Sequence, residues 1–237
     1  MDDNAFIRVR HVRKVYRMGE ERVVALDDVS LDINKGEFAC FLGTSGSGKS
    51  TFLNMVAGLE KPTKGEIWIG KVPIHQLNEA EVTIFRQKNI GFIFQAYHLI
   101  PTMTALENVA MPLMLRGVDK DVRTKKALKA MDEVGLKGYE SRRPSQMSGG
   151  QQQRVGIARA LVGKPKIIFA DEPTGNLDSR TTKEVMDLIS AEVKANGQTL
   201  ILVTHDRSIA DYADKIVTIQ DGNILSVEVK GKQNEIA

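Results

Sequence analysis

Cysteine is almost absent from the 237-residue sequence, with Cys40 standing alone. This excludes a disulfide framework and any zinc site built on cysteines, and it fits a reducing compartment. Long hydrophobic runs are missing as well. The longest, Val109 to Leu115, counts seven residues and includes Pro112, whereas a membrane-spanning helix needs roughly 20. The chain is therefore expected not to cross a membrane by itself. Neither sign of charge prevails: 33 Lys and Arg face 30 Asp and Glu, leaving +3, too mild to point to nucleic acid. The first 17 residues carry Arg8, Arg10, Arg13, Lys14 and Arg17, interleaved with Ile7, Val9, Val12 and Val15 rather than followed by an apolar block. No secretory signal is expected, and a cytoplasmic location is. What is present is ordinary for a globular protein, 42% hydrophobic and 27% charged residues. At about 150 residues per domain the length predicts one to two domains with a full core.

Short apolar runs alternate with longer helical patterns, as in an α/β domain with a largely parallel sheet. Strands are expected at Phe38 to Leu42, Ile90 to Phe94, Lys166 to Ala170, Thr199 to Val203 and Lys215 to Ile219. Val29, Leu31 and Ile33 alternate with polar residues, which predicts a strand with one wet face in a smaller antiparallel layer. Asp221-Gly222 predicts the tight turn of a final hairpin. Between about 96 and 161 the β signal gives way to helical periodicity. There Val122, Leu128 and Met131 read as one apolar helix face, and Asp119, Lys120, Arg123, Lys125, Lys126 and Lys129 as its solvated face. Residues 96–161 thus read as a helical subdomain inserted into a core formed by about 1–95 and 162–229, with 230–237 as a loose tail.

The chemistry concentrates in a few places. After the strand ending at Leu42 come Gly43, Thr44, Ser45, Gly46, Ser47, Gly48, Lys49, Ser50 and Thr51, then an apolar helical run through Phe52, Leu53, Met55 and Val56. Strand, glycine loop and helix follow in the order a phosphate-binding loop requires. The glycines let backbone N–H groups curl around phosphate oxygens and the helix N-terminus adds its positive end. Lys49 would neutralise the β and γ charges, and the Ser50 hydroxyl would ligate Mg²⁺. Further on, Ile167 to Ala170 runs into Asp171 and Glu172, which delivers two carboxylates to the sheet edge where a ligand lies in such folds. Asp171 would hold Mg²⁺ through its water shell, and Glu172 would accept a proton from the attacking water. Ser148, Gly149, Gly150 and Gln151 open a second helix whose N-terminus is available to an anion, although a serine N-cap is the ordinary reading of such a segment.

Six elements in order resemble the ATP-binding subunits of ABC transporters, over about residues 5–229. They are the phosphate loop, Gln95 after a strand, Ser148 to Gln151, the Asp171-Glu172 pair, Asn176-Leu177-Asp178, and His205 after Val203-Thr204. Met147 stands where the signature that continues through Ser148 to Gln151 usually begins with Leu in this family, a volume-similar apolar exchange. The wording of residues 171–178 and 148–154 is most similar to the branch containing lipoprotein-releasing, macrolide-export, peptide-antibiotic-resistance and cell-division ATPases. The resemblance implies an α/β P-loop ATPase with a RecA-like core, an N-terminal antiparallel β layer and an inserted helical subdomain. It implies ATP and Mg²⁺, with Tyr16 stacking on adenine, Gln95 touching the Mg²⁺ shell and attacking water, His205 on the γ-phosphate and Asp178 at a dimer seam. Two copies would pack head to tail, each ATP lying between the Lys49 loop of one and the Ser148 loop of the other.

Separate integral membrane permease subunits are also implied, holding the chain at the inner face of the membrane for export or release of a lipophilic substrate, lipoprotein or peptide. The family docks a short partner helix beside the Gln95 loop, where Tyr97, Leu99, Ile100, Pro101, Met103, Leu106, Met111 and Met114 concentrate apolar side chains. A mechanical device acting across the membrane would use the same ATPase and stays open as an alternative. Nucleic-acid relatives fit poorly: only 98 residues separate Lys49 from Ser148, too few for a long coiled coil, and one cysteine excludes zinc modules.

Overall fold

The computed structural model describes residues 5–19 and 21–231. In chain order the elements are β1 (Ile7–Met18), β2 (Glu21–Ile33), β3 (Phe38–Leu42), α1 (Lys49–Val56), β4 (Lys64–Ile69), β5 (Val72–Pro73), α2 (Glu79–Asn89) and β6 (Ile90–Phe94). They continue with α3 (Ala105–Leu115), α4 (Lys120–Glu133), a 3-10 turn at Pro144–Gln146, α5 (Gly149–Leu161), β7 (Ile167–Asp171) and α6 (Ser179–Ala195). The last are β8 (Thr199–Thr204), α7 (Arg207–Ala210), β9 (Lys215–Gln220) and β10 (Asn223–Val229). The five expected strands are β3, β6, β7, β8 and β9, with ends shifted by one residue at most. Of the expected tail, residues 232–237 lie outside the described residues. Two compact units divide the chain, one of Met1–Arg86 with Gly197–Ala237 and one of Gln87–Asn196.

The first unit holds an antiparallel sheet in the order β2-β1-β4-β5. Ile7 faces Ile33 on one side and Ile69 on the other, and Val29, Leu31 and Ile33 are buried between wetter neighbours as their alternation predicts. In its other sheet β3 lies parallel to both β8 and β9. β3 is apolar throughout and β8 nearly so, and both are buried, β8 along its whole length, as strands covered on both faces must be. Phe41 of β3 packs on Phe52 of α1 with ring centroids 4.4 Å apart, and burying one such ring fully contributes roughly 1.5–3 kcal/mol. Cys40, next to Phe41 in β3, is fully buried, and burial pushes its thiol up to about 12. β10 returns antiparallel to β9 through Asp221 (φ 48°) and Gly222 (φ 77°). Two successive left-handed residues are what a two-residue hairpin turn demands.

In the second unit β6 and β7 run parallel with Phe94 opposite Asp171, and the segment between them is helical. Here the expected face of α4 is corrected: Val122 and Leu128 are 46% and 40% exposed. The buried side chains are Ala127, Ala130 and Met131. At about 100° per residue, nine residues turn Val122 to the side opposite Met131. Alanines, not the larger aliphatics, face the neighbouring helices. The loop before α3 is held by Asn108, a fully buried amide. Its oxygen accepts from the Ile100 N–H at 2.7 Å, and its nitrogen donates to the carbonyls of Thr104 (2.9 Å), Ile100 (3.2 Å) and Met103 (3.3 Å). Every polar atom of that side chain is satisfied, which fixes residues 100–104.

Candidate functional site

The phosphate loop in the first unit is shaped by what its glycines leave out. A Cβ on Gly43 would stand 2.3 Å from the Ile219 carbonyl, and one on Gly48 would stand 2.5 Å from that of Ala25. Gly46 (φ 80°) and Gly48 (φ 106°) are left-handed, the conformation that turns successive N–H groups inward to form an anion nest. Gly48 is the N-cap of α1 and brings no side chain to its orphan donors. By contrast, α3, α4, α5 and α6 are capped by Thr104, Asp119, Ser148 and Asp178. An uncapped N-terminus at the end of a glycine loop is the one left for an outside anion. Lys49 is 5% exposed, and its Nζ donates to the Thr44 carbonyl at 2.6 Å. The Ser47 hydroxyl is buried without a hydrogen-bond partner, while Thr44, Ser45, Gly46 and Ser50 are exposed.

Tyr16, near the end of β1, shares a hydrogen bond with Thr51 of the same loop and donates from its hydroxyl to Glu60 at 2.7 Å. The Lys14 ammonium lies 5.0 Å from the centre of its ring. Burial pushes the phenol up. His205 follows β8 and is exposed. The residues after it are fixed: Asp206 caps α7, and Arg207 grips Glu228 of β10 through two hydrogen bonds of 3.0 and 2.7 Å.

In the second unit the parallel pairing of β6 and β7 sets Gln95 and Glu172 at one sheet edge, each the residue after a strand. Glu172 is left-handed with φ 44°, a conformation that costs a non-glycine residue roughly 1–2 kcal/mol. Its carbonyl accepts from the Gly175 N–H at 3.1 Å, closing a tight turn after the strand. Strain of this kind persists only where the surroundings impose it, and it gathers at functional sites. Gln95 lies over that turn. Its amide donates to Asn176 Oδ1 at 3.3 Å, and Asn176 Nδ2 donates back to the Gln95 carbonyl at 3.0 Å. A Cβ on Gly175 would stand 2.6 Å from the Gln95 side chain.

Ser148 and Gln151 form a capping box at the start of α5. The Gln151 N–H donates to Ser148 Oγ at 3.3 Å, and the Ser148 N–H donates to the Gln151 side chain at 3.0 Å. In the single chain Ser148 is thus an N-cap, and the cap does not use the N–H groups of Gly149 and Gly150. Asp178 caps α6 by accepting from the Thr181 N–H at 3.0 Å and hydroxyl at 2.7 Å, and these bonds hold its carboxyl below the usual range.

Sequence reasoning missed the side chains that join these loops. Gln153, fully buried in α5, donates to the Pro173 carbonyl, and Arg159 donates to the carbonyls of Tyr97 and His98. Tyr97, expected on a partner surface, is half-buried, and its hydroxyl would meet a Cβ on Gly149 at 2.9 Å. A groove of about 320 Å³ lies beside this segment, lined by Phe92, Phe94, His98, Met111, Pro112 and Arg116 among others.

Residues 26–175 match the ABC transporter family. The chain is 48% identical over 221 residues to MJ1508, an ABC transporter ATP-binding protein of Methanocaldococcus jannaschii, covering 93% of this chain and 98% of that one. It is 43% identical over 225 residues to a probable syringafactin export ATP-binding/permease protein of Pseudomonas syringae, covering 95% of this chain and 34% of that protein. The solved cassette MJ0796, in a dimeric post-hydrolysis state bound to ADP and phosphate, superposes with a TM-score of 0.88 at 42% identity, covering 96% of this chain and all of that one. A matching family, near full-length relatives and a neighbour caught with the products of hydrolysis together establish that this chain belongs to the ABC transporter family as an ATP-binding, ATP-hydrolysing cassette.

Proposed function

We propose that the chain powers an export complex in which two copies close head to tail on two ATP and drive separate integral membrane permease subunits. The cargo class is a lipophilic substrate, lipoprotein or peptide. The observation that carries this reading is the uncapped, glycine-nested N-terminus of α1 with Lys49 beneath it. The dimeric state of the MJ0796 cassette supports the pairing, and a relative whose name joins ATP-binding and permease supports the partnership. Among the described residues no helix is long and apolar enough to cross a membrane. In this reading the spanning helices belong to the permease, which holds the cassette at the inner face.

The roles follow from the chemistry of each group. The N–H groups of residues 43–51 cradle the phosphates, Lys49 neutralises them and the ring of Tyr16 takes adenine. The Ser50 hydroxyl, Asp171 carboxylate and Gln95 amide each offer a hard oxygen donor of the kind Mg²⁺ takes. When bound, that ion would neutralise charge on the phosphates. Glu172 takes the proton of the attacking water, Gln95 orients that water, and His205 holds the γ-phosphate. Ser148 and Asp178 face the nucleotide and seam of the other copy.

Crosslinking tests the head-to-tail arrangement. With cysteines placed at Ser148 and at Ser45, both solvent-facing, ATP is expected to produce covalent dimers on a denaturing gel. Links confined within single chains would refute it. Docking is tested at the groove beside Phe94. Met111→Asp and Leu99→Asp should lower recovery of co-expressed permease subunits at least about tenfold, since each buries a charge in an apolar contact, while leaving ATP affinity unchanged. Undiminished recovery with both would place the docking surface elsewhere.

A further inference from the structure

Arg159 of α5 carries a nearly buried guanidinium, 7% exposed. No carboxylate pairs with it among the described residues. Its two terminal nitrogens donate instead to the carbonyls of His98 at 2.5 Å and Tyr97 at 2.6 Å. A charge without a counter-ion is expensive to bury, and an apolar side chain of similar volume would ordinarily serve a core better. What the arginine does there is visible in what it holds. Tyr97 (φ 58°) and His98 (φ 48°) are consecutive left-handed non-glycine residues, an unfavourable pairing that turns both carbonyls toward one point. A bidentate donor is the group that can keep them there.

The turn begins two residues after Gln95. Its Tyr97 hydroxyl abuts Gly149, in the first turn of α5, while Arg159 grips the turn from further along the same helix. Gln95 is therefore held from two directions, by Asn176 on its own amide and by Arg159 through the backbone that follows. Arg159 also lines the groove with Phe94, His98 and Met111, so whatever fills that groove meets the group that fixes the turn.

We infer that Arg159 is a positioning residue that locks the left-handed Tyr97–His98 turn to the Ser148 helix, aiming Gln95 and making helix and Gln95 segment move as one piece. The inference rests on the role proposed for Gln95. A partner pressing into the groove would then be felt at Gln95 and at Ser148 together, the kind of shared two-state element that coupling requires.

A double-mutant cycle on the full chain tests it. Arg159→Met keeps the volume and removes the donors; it is expected to lower ATP turnover roughly 10- to 100-fold, the order produced by a misplacement of about 1 Å, with ATP affinity unchanged. Combined with Gln95→Ala it should cause no further loss, because the group it aims is already gone, and Arg159→Lys should restore part of the rate. Losses that multiply in the double variant would overturn the inference. If Gln95→Ala alone leaves turnover intact, the role of Gln95 falls and the inference with it, an outcome distinct from multiplying losses. Should Arg159→Met fail to fold, Arg159→Lys enters the same cycle with the same two outcomes. Amide exchange gives an independent readout: protection at residues 95–98 should drop in the Arg159 variant while that of residues 43–51 is kept. Unchanged protection at 95–98 would also overturn the inference.

Discussion

Glu172→Gln is expected to keep ATP binding, lose turnover by about 10²- to 10⁴-fold and leave a dimer that ATP holds closed. That loss is what general-base catalysis typically supplies, roughly 2.7–5.5 kcal/mol of barrier. The substitution is near isosteric, and the turn that carries Glu172 is made by its backbone, through the left-handed φ and the bond from Gly175. Placement should therefore survive while the proton acceptor and one negative charge disappear. Losing that charge beside the γ-phosphate also removes a repulsion, which is why the closed dimer should persist. Phosphate release and size-exclusion chromatography with ATP measure both effects. A variant that stayed monomeric with ATP and hydrolysed at the parent rate would reject the assignment.

Lys49→Ala should abolish nucleotide binding at cellular ATP without unfolding the first unit. The ammonium donates to the Thr44 carbonyl from inside the loop, so the positive charge is already positioned before any phosphate arrives. One charge-assisted contact of about 1.5–3 kcal/mol corresponds to roughly 10- to 150-fold in affinity, and a lysine that serves two phosphates should exceed the lower figure. Alanine is the best helix former and Lys49 opens α1, so the melting temperature should hold. Calorimetric titration with ATP decides it: unchanged affinity would remove Lys49 from the site.

The central strands were readable because burial on both faces demands an unbroken apolar run, and β3 and β8 have one. The hairpin was readable because few pairs besides Asp-Gly tolerate two left-handed residues. β1 was not recognised as a strand, since its register shifts near Val9, Val12, Lys14 and Val15 break the alternation that marks one. The face of α4 was misread because alanines carry little hydrophobic signal yet allow close helix approach. Among the candidate site residues, those of the phosphate loop and the Asp171-Glu172 pair stood out because phosphate chemistry dictates residue type and spacing. Arg159, Gln153 and Asn108 did not, for a shared reason. Each bonds backbone carbonyls, and a carbonyl is the same at every position, so the acceptor leaves no trace in the sequence.

The burial of Cys40 in β3 reaches beyond packing. A thiol pushed up to about 12 is almost wholly protonated at neutral pH, and only the thiolate attacks alkylating reagents, oxidants or disulfides. Sealed between strands, it is also out of reach of such reagents. To maleimides, spin labels and glutathione the native chain presents itself as a cysteine-free protein. New cysteines can therefore be introduced at Ser148, in the phosphate loop or in the Gln95 segment and read without background, leaving the natural residue in place.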